Sequence, residues 1–182
     1  DVFPQLSSMV KICGLNLRKI ANDLRLMNSG PTTSIHEIDL PALQAGSSIM
    51  PKKVNPVGAE FIMQIAYKLL GNDLIISECT VGEFELNAWE PLIADAMIES
   101  LTLLRDGLER FTNTVVKGIT ANKELCEAYF ERCPTAATEL ISIIGYDSVA
   151  EIIAKVNETG ESYKKVAVEM GFVTANFFDK NR

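Results

Sequence analysis

Three runs of apolar residues at steps of three and four, each over twenty residues long, constrain this chain more than any other feature. In the first, from Gln5 to Met27, the stripe is Leu6, Met9/Val10, Cys13, Leu17, Ile20, Leu24 and Met27. In the second, from Val57 to about Thr80, it is Phe61/Ile62, Ile65, Leu69 and Ile76. The third opens at Glu90-Pro91 and runs through Ile93, Met97, Leu101, Leu104, Leu108, Phe111 and Val115. Such spacing gathers the apolar side chains on one side of an α-helix. Ile12, Leu15 and Leu26 fall off the first stripe, which predicts cover on more than one side, as inside a bundle. Asn28-Ser29-Gly30-Pro31 ends the first helix, and Pro91 sits in a first turn, where its missing N–H costs nothing. Three such helices cannot cover one another as a lone hairpin. The pattern therefore predicts burial against further helices, from additional chain or other subunits.

Gly118 marks a change of scale. Beyond it the predicted helices are short and closely capped. Thr120 precedes a segment ending at Cys133-Pro134, and Gly145 closes the next. Asp147 or Ser148 caps a third that Gly160 closes, Ser162 opens a fourth that Gly171 closes, and Thr174 starts a last turn. No segment reads as a strand. The expectation is an all-α protein: a long-helix bundle domain over residues 1–117, then a small C-terminal helical domain over 118–182.

Charge and cysteine usage exclude several classes of function. Seventeen lysines and arginines against twenty-four acids give a net charge of −7, which repels phosphate backbones and argues against nucleic acid as a partner. No apolar run approaches the ~20 residues a bilayer span needs, and the N-terminus has no signal-peptide pattern. Cys13, Cys79, Cys126 and Cys133 form no CxxC pair and have one histidine, His36, to join. Neither a metal site nor a disulfide framework is expected, and a cytoplasmic protein with reduced thiols is. No nucleotide or flavin motif implies a cofactor. The chain opens at Asp1 rather than methionine and enters helical pattern almost at once, which reads as a piece of something longer.

Between the first two helices, Asn28 to Pro56 has no helical or strand pattern. Structureless loops above about 15 residues are uncommon in compact domains unless functional or disordered. Ile35, Ile38, Leu40, Leu43, Ile49 and Met50 give this one too much apolar surface for a free coil, so it is expected to be ordered. Its last part, residues 45–56, reads Ala-Gly-Ser-Ser-Ile-Met-Pro-Lys-Lys-Val-Asn-Pro. Gly46 permits close approach of backbone to a ligand, and Pro51 and Pro56 stiffen the frame. Hydroxyls, an ammonium and an amide then suit a ligand bearing carboxylates. Composition alone also allows a solvated linker, with Ser47 closing a turn.

Gly46-Ser47-Ser48-Ile49-Met50-Pro51-Lys52-Lys53-Val54-Asn55-Pro56 resembles the GSSxMPxKxNP signature loop of the fumarase/aspartase superfamily. Asn22-Asp23-Leu24-Arg25-Leu26 and Ser29-Gly30-Pro31 are similar to what that superfamily carries just upstream. The resemblance covers nearly the whole chain and corresponds to the C-terminal part of the family's length. It implies a lyase that forms fumarate from a small dicarboxylate such as L-aspartate. Ser47 would be the general base that takes the proton beside a carboxylate. Ser48 and the loop backbone would hold that carboxylate, while Lys53 and Asn55 would bind the other. Glu60 would partner a histidine supplied from upstream. Lys52 falls at a variable position and reads as a solvated charge. His36, lone in a polar stretch, reads as a surface residue outside the site.

The resemblance also implies a homotetramer, with each active site built from three subunits. The segments holding the remaining threonine, serine, asparagine and histidine residues would lie upstream of Asp1, so this chain alone is expected to be inactive. Leu40-Pro41-Ala42-Leu43-Gln44-Ala45 and Gly118-Ile119-Thr120-Ala121-Asn122-Lys123-Glu124 are similar to the family's aspartate ammonia-lyase branch. Class II fumarate hydratase is the alternative, and a non-catalytic helical assembly module is a third reading.

Overall fold

The computed structural model describes residues 2–32 and 35–180, so Thr33 and Ser34 of the long loop fall outside it. The protein is all-α, and it divides into two compact units, Asp1–Ala121 and Asn122–Arg182.

In the first unit the three long stripes are helices α1 (Val2–Met27), α2 (Val57–Glu78) and α3 (Glu90–Thr114). Helix α2 packs against both others, while α1 and α3 touch only slightly. That central place explains why α2 buries residues around much of its circumference: Ala59, Ile62, Ile65, Ala66, Leu69 and Ile76. Val10, Ala21, Phe111 and Val115 complete its core.

The buried face of α1 differs from the apolar stripe. Ser7, Val10, Gly14 and Ala21 are its buried residues, whereas Leu6, Met9 and Ile20 stand exposed. Small residues let α1 and α2 approach closely: a Cβ on Gly14 would lie 2.7 Å from Leu69 Cδ1 and 3.5 Å from the Ala66 backbone. Polar groups also cross this interface. The Asp73 carboxylate accepts from Ser7 Oγ at 2.8 Å and Lys11 Nζ at 2.6 Å. The preceding residue, Asn72, donates to the Ala96 carbonyl (3.2 Å), to Glu99 Oε2 (2.8 Å) and to Ser100 Oγ (3.0 Å) on α3. Among the described residues no buried side-chain nitrogen or oxygen lacks a partner.

The described residues of the connection from α1 to α2 contain a strand that the sequence did not announce. Strand β1 (Ile38–Asp39) pairs antiparallel with β2 (Thr120–Ala121), matching Ile38 to Ala121 and Asp39 to Thr120. Two residues are too few to show a period of two, which is why no strand was expected.

The second unit is built from α4 (Lys123–Arg132), a 3₁₀ turn over Pro134–Leu140, α5 (Ile141–Ile144), α6 (Tyr146–Thr159), α7 (Tyr163–Glu169) and α8 (Phe177–Lys180). Asn122, rather than Thr120, caps α4, its side chain accepting from the Leu125 amide. Helix α6 begins at Tyr146, directly after Gly145 and ahead of Asp147 and Ser148. Ser162 caps α7 by accepting from the Lys165 amide. Its core joins Leu140, Val149, Ile152 and Val156 to Tyr163, Val166 and Ala167. No described helix is long and apolar enough to cross a membrane.

Candidate functional site

The loop before α2 closes on itself at Gly46. The Gly46 amide donates to the Lys53 carbonyl at 2.8 Å, and the Asn55 side-chain amide donates to the Gly46 carbonyl at 3.2 Å. Lys53 returns its own amide to the Met50 carbonyl at 3.3 Å. Between these ties Lys52 takes a left-handed backbone, φ 64°. After Asn55 the chain enters α2 directly, as the Pro56 carbonyl accepts from the Ala59 and Glu60 amides at 3.0 and 3.1 Å.

Inside the closed loop two amides converge on one hydroxyl. The N–H groups of Ile49 and Met50 both donate to Ser47 Oγ, each at 3.1 Å. This is a serine turn, and it is also a donor pair aimed at an oxygen that would carry charge if Ser47 lost its proton. Hydrogen bonds to a charged form favour that form. Ser47 is half-buried, whereas Ser48, Lys52 and Lys53 are exposed. Glu60 is half-buried in the first turn of α2, where the helix dipole favours a carboxylate. Among the described residues, the Lys53 ammonium and the Glu60 carboxylate have no ion-pair partner.

Asn55 has a role that residue type alone did not reveal, since one of its amide hydrogens shuts the loop. His36 differs from the surface residue expected. Its side chain is 21% exposed, and its Nε2 lies 2.9 Å from Asp39 Oδ1. The backbone explains the cover: His36 N–H donates to the Ser29 carbonyl at 2.7 Å and Glu37 N–H to the Met27 carbonyl at 2.9 Å, folding this stretch back onto the end of α1.

The loop is open to solvent. Ile49 is 88% exposed, and Met50 and Val54 are also exposed. A cavity of about 360 Å³ lies behind the loop among Leu43, Val57, Gly58, Phe61, Arg110 and Phe111, but Ser47, Lys53 and Asn55 are not in its walls. The loop thus brings together a hydroxyl under two amides and a side-chain amide that closes the turn, with the Lys53 side chain exposed on the same loop.

A lyase family model matches residues 1–71. Aspartate ammonia-lyase from Bacillus sp is 41% identical over 96% of this chain and 37% of its own length. Class II fumarate hydratase from Thermosynechococcus vestitus is 39% identical over 99% of this chain and 39% of its own length. The crystal structure of fumarate lyase:delta crystallin from Brucella melitensis bound to cobalt superposes with a TM-score of 0.89 at 40% identity, covering 96% of this chain and 38% of that one. The chain thus spans under two-fifths of the length of these relatives.

Proposed function

This chain belongs to the fumarase/aspartase superfamily of lyases, and on that premise we propose that it is the C-terminal portion of an aspartate ammonia-lyase. The full protein would eliminate ammonia reversibly from L-aspartate to give fumarate. Ser47, as its alkoxide, takes a proton from the carbon beside one carboxylate. The electron pair left behind moves into that carboxylate, giving a doubly charged aci-carboxylate held by Ser48 and loop amides. Collapse of that intermediate forms the carbon–carbon double bond and releases the amine. Lys53 and Asn55 hold the far carboxylate, and Glu60 orients a histidine from upstream.

The observation that carries this reading is the convergence of the Ile49 and Met50 amides on Ser47 Oγ. A serine hydroxyl is too weak an acid to serve as a base unless its anion is stabilised, and two fixed donors in a loop tied shut do that at no reorganisation cost. The open loop fits a site completed by other subunits. So do the exposed apolar residues on the bundle helices, among them Met9, Ile12, Leu74 and Ile98. A homotetramer would cover those faces.

Fumarate hydratase is kept as the second reading, because the fumarate hydratase relative is almost as similar as the ammonia-lyase one. Both reactions share what this loop binds, and they differ only in the leaving group. The deciding experiment offers L-aspartate and L-malate separately to the full-length protein and follows fumarate by its ultraviolet absorbance. Turnover of aspartate alone establishes the ammonia-lyase, turnover of malate alone establishes the hydratase, and no turnover of either removes both.

A further inference from the structure

The second unit carries a cavity of about 530 Å³ that the loop chemistry does not use. This volume falls within the usual range for small-molecule sites. Aromatic rings make much of its wall: Phe130, Tyr163, Phe177 and Phe178. Tyr163 is fully buried and meets Phe130 and Phe178 edge-on, at centroid distances of 6.4 and 5.9 Å. Phe177 and Phe178 stand edge-on at 5.2 Å. Ring faces carry negative charge density, so a cluster of this kind attracts cations.

The charges in the wall have the same preference. Lys164 already lies 6.0 Å from the Phe178 centroid and is tied to Glu131 at 2.9 Å, so its own charge is compensated. Glu139, also in the wall, accepts from the Tyr163 hydroxyl at 2.7 Å. One neutral donor leaves that carboxylate both its charge and further acceptor positions. Burial first, and then the hydrogen bond to Glu139 and the Glu139 and Glu131 charges, push the Tyr163 phenol well above its ordinary pKa, so it stays a neutral donor to Glu139.

We propose that this cavity binds a small organic ammonium ion with an apolar body, its charged head on Glu139 and its body against the Phe130 and Phe178 rings, which the buried Tyr163 ring holds edge-on from behind. Dicarboxylates are excluded by the same charge. The proposal draws on residues 127–178 alone and stands whatever the signature loop does.

The test is calorimetric titration of the full-length protein with three probes of one shape: 2-phenylethylammonium, 2-phenylethanol and 3-phenylpropanoate. Saturable binding of the ammonium at least about tenfold tighter than the alcohol is expected, weakening with added salt, with no binding of the carboxylate. Glu139→Gln keeps an acceptor for Tyr163 and removes the charge, so it is expected to bring the ammonium down to the level of the alcohol. If circular dichroism shows that variant unfolded, Phe130→Leu replaces it. Phe130 is 53% exposed at the rim, and its loss is expected to weaken the ammonium several-fold more than the alcohol. Equal affinity for all three probes, no saturable ammonium binding, or ammonium binding indifferent to the folded variant each overturns the proposal.

Discussion

Gly46 donates its amide to the Lys53 carbonyl at 2.8 Å, and a methyl group added to Gly46 would stand 2.6 Å from that same oxygen. The carbonyl carbon would lie 2.9 Å away and the Asn55 backbone nitrogen 3.1 Å. All three are backbone atoms, so no change of rotamer relieves the clash, and the neck of the loop has to open. Gly46→Ala in the full-length protein is expected to cut fumarate formation about a hundredfold, the usual result of an ångström-scale misplacement. The loop contributes little core, so the melting temperature is expected to hold. A variant with unchanged turnover would show that the tight neck has no part in activity.

Ser47 is the sharper target. Ser47→Ala removes both the proposed base and the oxygen on which two amides converge, and a turnover loss of about 10²- to 10⁴-fold is expected. Ser48→Ala leaves that oxygen in place and is expected to raise KM more than it lowers kcat. Steady-state kinetics on both variants, with oligomeric state checked by sedimentation, separates an enzyme from an inherited loop on an assembly module. Full activity in Ser47→Ala would remove Ser47 as the base, whereas no turnover by the unaltered full-length protein would leave only the module.

The sequence carried the three long helices because their period persists over many turns. It misled on the buried face of α1, where counting large apolar residues selects Leu6, Met9 and Ile20. Those three stand exposed, while Ser7, Gly14 and Ala21 make the contact. Close helix approach is signalled by small residues, which hydropathy scores as nearly neutral. The loop stood out because two prolines, a glycine and two lysines frame a pair of serines. Its closure did not, since nothing in residue type says that Asn55 reaches back nine positions to the Gly46 carbonyl. The covered His36 depends on backbone bonds to Ser29 and Met27, which no local period encodes.

Exposure of the bundle faces gives a prediction about assembly. Met9 on α1 and Ile98 on α3 are 68% and 65% exposed, in helices otherwise packed on α2. If other subunits cover these faces, Ile98→Glu puts an unpaired charge into that contact, at a cost of several kcal/mol per ion. Sedimentation velocity of the full-length variant is expected to show smaller species, and fumarate formation is expected to fall with them. The 182-residue chain alone, whose loop lacks the other walls, is expected to form no fumarate from aspartate. An Ile98→Glu protein that keeps its size, or turnover by the chain alone, contradicts a shared site.

Asp73 ties α1 to α2 through charge, so stability has a predictable acid limb. Burial pushes its carboxyl up, but hydrogen bonds from Lys11, Ser7 and Ser8 and the Lys11 charge outweigh burial and hold its pKa below the ordinary value. A folded pKa lower than the unfolded one means that the unfolded chain binds the proton more readily. The stabilisation is therefore fully present above about pH 4, the ordinary carboxylate value, and fades as pH falls through the lower folded value. Asp73→Asn keeps an oxygen for Ser7 but abandons Lys11, which is 29% exposed and only partly rehydrated. About 1–3 kcal/mol is the expected loss at pH 7. Urea melts from pH 7 to pH 3 on both proteins check the sign. The gap between them is expected to narrow only at the acid end, and a gap that instead widens below pH 4 would mean that burial, not Lys11, dominates this carboxylate.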